Sequence, residues 1–161
     1  MIFVVLGTQK FQCNRLLKQV DELIESGEID EPTFAQVGHS DYRPKYYKYI
    51  DFLDKASFDE KVKECSLLIT HGGVGTIIAG INYRKPVIVF PRLKKYSEHV
   101  DDHQMEIARA FSKKGYVLMC CEEDNLGELI KNSRTFKFGI YVSQREKTVR
   151  VIGDYITQIK L

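Results

Sequence analysis

Apolar and polar positions along the chain follow two alternating rhythms. Short apolar runs occupy residues 2–6, 34–37, 66–70, 86–90 and 116–120. Between them lie stretches in which apolar residues recur at helical spacing, as Leu16, Leu17, Val20, Leu23 and Ile24 do within 14–26. Unbroken apolar runs separated by amphipathic segments are what strands buried on both faces look like when helices carry the chain from one to the next. The pattern predicts strands at the five runs. It predicts helices over 14–26, from Ser57 through Glu64, from the glycine-dense turn at 71–76 to about Tyr83, and over 101–113, 125–131 and 141–159. Ser57 followed three residues later by Glu60 reads as a capping box. Met105, Ile107, Ala108 and Phe111 are the inward positions of the 101–113 helix. The aromatic stretch Tyr46, Tyr47, Lys48, Tyr49, Ile50 fits neither rhythm. The fold class is therefore α/β, Rossmann-like, with a mostly parallel sheet and helices on both faces, in a single domain spanning 1–161.

Length agrees with this reading, since 161 residues at 43% hydrophobic content suffice for one core. Charge nearly cancels, 24 basic against 22 acidic side chains, which argues against a surface built to coat a polyanion. The four cysteines show no C-x-x-C spacing, so reduced thiols and a cytoplasmic location are expected. The opening apolar run is too short for a signal core, and no run approaches the ~18 apolar residues of a membrane span.

The chemistry concentrates where a strand delivers Thr70-His71-Gly72-Gly73-Val74-Gly75-Thr76 into a helix. Glycines let the backbone approach a bulky anion, and helix-start amides donate to phosphate oxygens along the favourable direction of the peptide dipoles. His71, Gly72, Gly73, Val74, Gly75 and Thr76 are the candidate diphosphate-binding residues, with no metal and no cofactor required. The same glycines could serve only tight strand-to-helix packing. The turn matches neither G-x-G-x-x-G nor G-x-x-x-x-G-K-[ST], which disfavours dinucleotide oxidoreductases and P-loop hydrolases. Ligands of open parallel sheets lie beyond the carboxyl ends of the strands, so the loop after residue 90 should face the same crevice. Asp102, His103 and Gln104 suit sugar hydroxyls, and Gly7, Thr8 and Arg92 are placed at the same crevice. Asp101 and Asp102 also fit helix-start chemistry alone, and His99 and His103 could simply be solvated.

The blocks 70–76 and 91–104, with Val5-Leu6-Gly7-Thr8 at the start, resemble the C-terminal domain of glycosyltransferase family 28. They resemble most the small catalytic subunits of bacterial two-component glycosyltransferases, which are similar to the catalytic subunit that adds the second N-acetylglucosamine to dolichol diphosphate. The resemblance implies the C-terminal half of a two-Rossmann-domain fold. It implies an inverting transfer from a UDP-sugar to a lipid-diphosphate-linked acceptor in capsular or exopolysaccharide synthesis. It further implies a membrane-anchored partner subunit that binds the acceptor and keeps the chain at the inner face of the membrane. Where many members carry a ribose-binding Glu, this chain has Ala79-Gly80. Tyr141, Val142, Val149, Ile152, Ile156 and Ile159, flanked by Arg145, Lys147 and Arg150, form an apolar stripe for the partner or for the domain's own sheet. The general base is not identified; His39, Glu98 and His99 are candidates. A non-catalytic nucleotide-binding module and a self-sufficient enzyme on soluble nucleotide sugars are the rival readings.

Overall fold

The computed structural model describes residues 1–143 and 145–159. Six parallel strands form one sheet: β1 (Ile2–Val5), β2 (Thr33–Gln36), β3 (Lys48–Ile50), β4 (Leu67–Thr70), β5 (Val87–Val89) and β6 (Leu118–Met119). Their order is β3-β2-β1-β4-β5-β6. The chain builds outward from β1 to one edge, returns to the other side of β1, and builds outward again. The order reverses between β1 and β4, and a crevice must open there because the connections leave to opposite sides.

The helices are α1 (Asn14–Glu25), α2 (Lys55–Glu64), α3 (Val74–Asn82), α4 (His103–Lys113), α5 (Leu126–Ser133) and α6 (Arg145–Gln158). Strand alternation sorts the core into two layers. Ile2, Val4, Ile69 and Ile88 pack with Leu16, Leu17 and Val20 of α1 and Leu126 and Ile130 of α5. Phe3, Val5, Leu68, Val87 and Val89 pack with Val62, Ile77, Ile81 and Ala108 of α2, α3 and α4. The central strands are buried on both faces, which is why their sequences read as unbroken apolar runs.

Several local expectations shift. The stretch around Tyr49 is the edge strand β3, exposed throughout, so it lacks the apolar run of a central strand. Helix α2 begins at Lys55, and its cap is Asp54, whose carboxylate accepts from the Ser57 amide at 2.9 Å and the Ser57 hydroxyl at 2.8 Å. Ser57 thus lies inside the first turn, where an upstream carboxylate outcompetes it as an acceptor. Ile107 and Phe111 of α4 pack against the second core layer, but Met105 borders a hollow outside it. The 92–98 loop contains one 3-10 turn, Lys94–Tyr96.

The terminal helix starts later than the sequence pattern predicts. Tyr141 lies outside it and packs edge-on against Tyr116, ring centroids 5.6 Å apart, at the rim of the second core layer. Beyond that anchor, Val149, Ile152, Tyr155 and Ile156 of α6 are exposed, so the stripe does not pack on the sheet. Gln144, within the predicted helix, lies outside the described residues, as do Lys160 and Leu161 beyond it.

Candidate functional site

At the point of reversal, the loop after β1 and the turn from β4 into α3 face one another across a crevice of about 430 Å³. It is bordered by residues 7–9 and 71–76, with His99, His103, Gln104 and Ile107 closing it from the β5–α4 side. The turn's amides divide into two sets. Gly72 N–H donates to Gln104 Oε1 at 2.9 Å, and Gly73 N–H donates to the His71 carbonyl at 2.8 Å. The first helical hydrogen bond of α3 runs from Ile77 N–H to the Gly73 carbonyl, and no side chain caps the helix. Three successive donors, on Val74, Gly75 and Thr76, therefore point out of the helix start with no protein acceptor among the described residues. The donor set is thus narrower than the six residues read from sequence, because Gly72 and Gly73 spend their N–H groups within the protein.

His71 is 6% exposed, with its ring lodged between two glycines. A Cβ on Gly7 would lie 2.8 Å from His71 Nε2, and one on Gly73 would collide with the same ring. Gly7 also needs its positive φ of 71°, so this loop can be built only with glycine. Nδ1 lies 3.3 Å from the Val5 carbonyl, which can only accept, so the proton is assigned to Nδ1 and Nε2 is left as a lone pair. Burial, reinforced by the Arg92 guanidinium, pushes the imidazole down to about 4. In this tautomer Nε2 carries a lone pair, and the ring shapes the turn by filling the space between Gly7 and Gly73.

The β5–α4 segment is held by contacts distant in sequence. Gln104 Oε1 accepts from both Gly72 N–H and Arg92 N–H, the latter at 3.1 Å, so this oxygen is spent on backbone and only the amide end can meet a ligand. Arg92 is not at the crevice. It is fully buried, with Nη2 donating to the carbonyls of Leu6 at 2.6 Å and Phe11 at 2.8 Å, which fixes the loop after β1 from below. Glu98 is 1% exposed; it pairs with Arg15 at 3.0 Å and accepts from Leu93 N–H, so no face of it is open to take a substrate proton. Arg15 itself stacks on Phe90 and donates to the Pro91 carbonyl. Nothing local in the sequence signals Arg15, because its partner is 83 positions away.

His103 borders the crevice, with Nδ1 3.1 Å from Glu106. Asp102 does not: its carboxylate accepts from Lys94 N–H at 2.8 Å and faces an adjoining hollow of about 620 Å³, bordered also by Lys95, Arg109 and Glu122. Thr8 is exposed on the opposite wall. His99 stands between, its Nδ1 3.0 Å from Asp101 Oδ1 and its ring against Phe11. His39 follows β2, exposed and edge-on to Phe52; it does not itself border the crevice, but its neighbour Gly38 packs against the carbonyl of Gly7, which does. Gly80 is buried against Leu68 and Val87, so a glutamate at that position would have to displace the sheet packing.

The glycosyltransferase family 28 C-terminal domain model matches residues 1–151. Mouse UDP-N-acetylglucosamine transferase subunit ALG13 is 30% identical over 126 residues, 73% of this chain and 10% of the mouse protein. Its namesake from Candida albicans is 33% identical over 67 residues, 42% of this chain and 22% of that protein. The chain thus spans only a small part of these relatives. Among solved structures, the solution structure of ALG13 superposes with a TM-score of 0.56 at 20% identity, covering 93% of each chain. Acinetobacter baumannii MurG superposes at 0.54 with 17% identity over 82% of this chain and 40% of its own. At such identities the superpositions speak to the fold.

Proposed function

Because this chain belongs to the glycosyltransferase family 28 C-terminal-domain family, we propose that it is the donor-binding subunit of an inverting glycosyltransferase using a UDP-sugar. The observation that carries the reading is the triplet of partnerless amides on Val74, Gly75 and Thr76 at the point where the strand order reverses. As the glycosidic bond breaks, its electron pair stays on the diphosphate oxygen. Fixed N–H groups stabilise that growing charge without reorganising, each worth ~3 kcal/mol in comparable sites. His71, Gly72 and Gly73 hold the turn in shape, and Thr76 adds a hydroxyl beside its amide. His103 and the amide end of Gln104 meet the sugar, with Asp102 reaching it from the adjoining hollow. Since the relatives are UDP-N-acetylglucosamine transferase subunits by name, that nucleotide sugar is the first donor to test.

The acceptor in this reading is a lipid diphosphate carrying a growing glycan, in capsule or exopolysaccharide assembly. A membrane-anchored second subunit binds it. Two features support a partner: the relatives are described as subunits, and α6 offers an apolar stripe that the domain itself leaves uncovered. Among the described residues no helix is long and apolar enough to cross a membrane, so membrane attachment in this scheme runs through the partner. With Glu98 locked to Arg15, His39 and His99 are the candidates in this chain for the base that takes the acceptor's proton; the partner is the other source.

The test is a thermal-shift screen over UDP and UDP-sugars, followed by radiolabelled transfer to a lipid diphosphate with and without a co-expressed acceptor-binding subunit. UDP should raise the melting temperature, and transfer should require both chains. Binding without transfer in either condition would favour a non-catalytic module. Turnover of soluble nucleotide sugar by the chain alone would favour a self-sufficient enzyme.

A further inference from the structure

A diphosphate carries negative charge on both phosphoryl groups, yet no lysine or arginine is among the described residues bordering the crevice. Arg92 is turned away, its Nη2 committed to the Leu6 and Phe11 carbonyls. The groups at the crevice that can become cationic are His71, His99 and His103. His71 is held neutral by burial, with Nδ1 facing the Val5 carbonyl. His103 stands 62% exposed at the rim with Nδ1 on Glu106. His99 differs from both. Its side chain is 15% exposed, Phe11 covers its ring at a centroid distance of 5.0 Å, and Nδ1 lies 3.0 Å from Asp101 Oδ1, with the Asp101 amide a longer donor to the same nitrogen at 3.4 Å.

That carboxylate is built to stay ionised. Asp101 also accepts from the His103 amide at 3.1 Å, and this backbone bond, followed by His99 itself, holds its carboxyl below the usual range. A carboxylate on Nδ1 fixes the ring, leaving Nε2 as the end that can address a ligand. The charged or titratable groups near His99 include Asp101 and His103 on its own segment, His71 across the crevice, and the buried Arg92 guanidinium, which acts on His71 and holds the carbonyl of Phe11 behind the His99 ring. The chain neighbour Glu98 is directed to Arg15 instead.

Resting on the donor-site reading above, we infer that His99, oriented by Asp101, takes up a proton from solvent when a nucleoside diphosphate enters the crevice and serves as its counter-charge. In the transfer step it remains protonated. The electron pair of the broken glycosidic bond stays on the diphosphate, and the Nε2–H group hydrogen-bonds to that charge opposite the amides of α3. His99 is then a catalytic residue on the leaving-group side, not the base that its position in the sequence also allows.

Isothermal titration of the chain with UDP at pH 7.5, in two buffers of different ionisation enthalpy, counts the protons taken up per ligand. The terminal phosphate of UDP titrates in the same range, so the quantity read is the difference between wild type and variant. Wild type should take up as much as about one proton more than His99→Gln, with Asp101→Asn intermediate. A merely structural His99 would alter affinity and leave the count unchanged. Equal counts in wild type and His99→Gln, with UDP bound to both, overturn the inference and leave the donor site standing. Should His99→Gln fail to bind, Asp101→Asn carries the comparison, and a wild-type count there overturns the inference equally. Absence of any UDP binding to wild type ends the donor-site reading and this inference with it.

Discussion

Gln104 and Gly72, 32 positions apart, are joined by a buried hydrogen bond of 2.9 Å from the Gly72 amide to the Gln104 side-chain oxygen, which also takes the Arg92 amide. One side chain thus ties the β4–α3 turn and the loop after β5 to the start of α4. Gln104→Ala would leave two buried N–H groups without an acceptor, at ~1–3 kcal/mol each. The expected result is a fall in the urea midpoint equivalent to ~2–5 kcal/mol, with weaker UDP binding. Gln104→Glu keeps an acceptor oxygen, so it should fold, yet bind UDP poorly because a carboxylate then faces the phosphates. A Gln104→Ala chain as stable as wild type would refute the tie.

Gly75 separates packing from function. An ideal Cβ there meets nothing within 4 Å, so no protein contact requires the glycine. Its neighbour Gly73 is different, since a Cβ there strikes the His71 ring. Gly75→Ala in the first turn of α3 should therefore hold or raise the melting temperature, by up to ~1 kcal/mol equivalent. It should also weaken UDP binding at least tenfold, because the methyl group occupies space that the diphosphate needs. Unchanged affinity in that variant, measured by titration calorimetry, would show that the anion does not approach this amide.

Much of this arrangement is legible in the sequence because it is local. The runs at β1, β4 and β5 are apolar without interruption since both faces are covered, and the glycine-dense turn announces a helix start open to an anion. What escapes is what depends on partners brought together only by folding. Arg15 and Arg92 are ordinary basic residues in the sequence; the fold buries Arg92 under the β1 loop and pairs Arg15 with Glu98. Glu98 looks like a loop carboxylate available for catalysis for the same reason. Edge strand β3 escapes because an exposed, aromatic-rich strand has neither rhythm. The acceptor oxygen of Gln104 suits a sugar in composition, and only in the fold do two backbone amides claim it.

His71 should make stability depend on pH in a definite direction. An unfolded histidine titrates near 6.5, whereas the buried ring is pushed down to about 4. Between those values the unfolded chain binds the extra proton, so stability rises with pH across this window and is lost as pH falls from about 6.5 toward 4. The contribution is at most ~3 kcal/mol. Urea midpoints at pH 6.5 and 4.5 should differ more for wild type than for His71→Asn, a comparison that cancels the titration of the carboxylates. Equal pH dependence in the two proteins would mean that His71 is protonated in the folded state.

Helix α6 carries the clearest separation between stability and assembly. Val149, Ile152, Tyr155 and Ile156 are 61%, 52%, 66% and 60% exposed, at a spacing that brings them to one side of the helix. Replacing Ile152 and Ile156 with Asp removes no packed side chain from the domain, so the melting temperature should change by no more than the equivalent of ~0.5 kcal/mol per site. UDP binding, some distance along the chain at the β4–α3 turn, should be unaffected. In the proposed two-subunit enzyme, however, two carboxylates would enter an apolar interface and be desolvated without partners, and both co-purification with the acceptor-binding subunit and sugar transfer should be lost. A destabilisation of several kcal/mol in the isolated chain would instead place the stripe against its own domain. Retained co-purification and transfer would move the docking surface elsewhere.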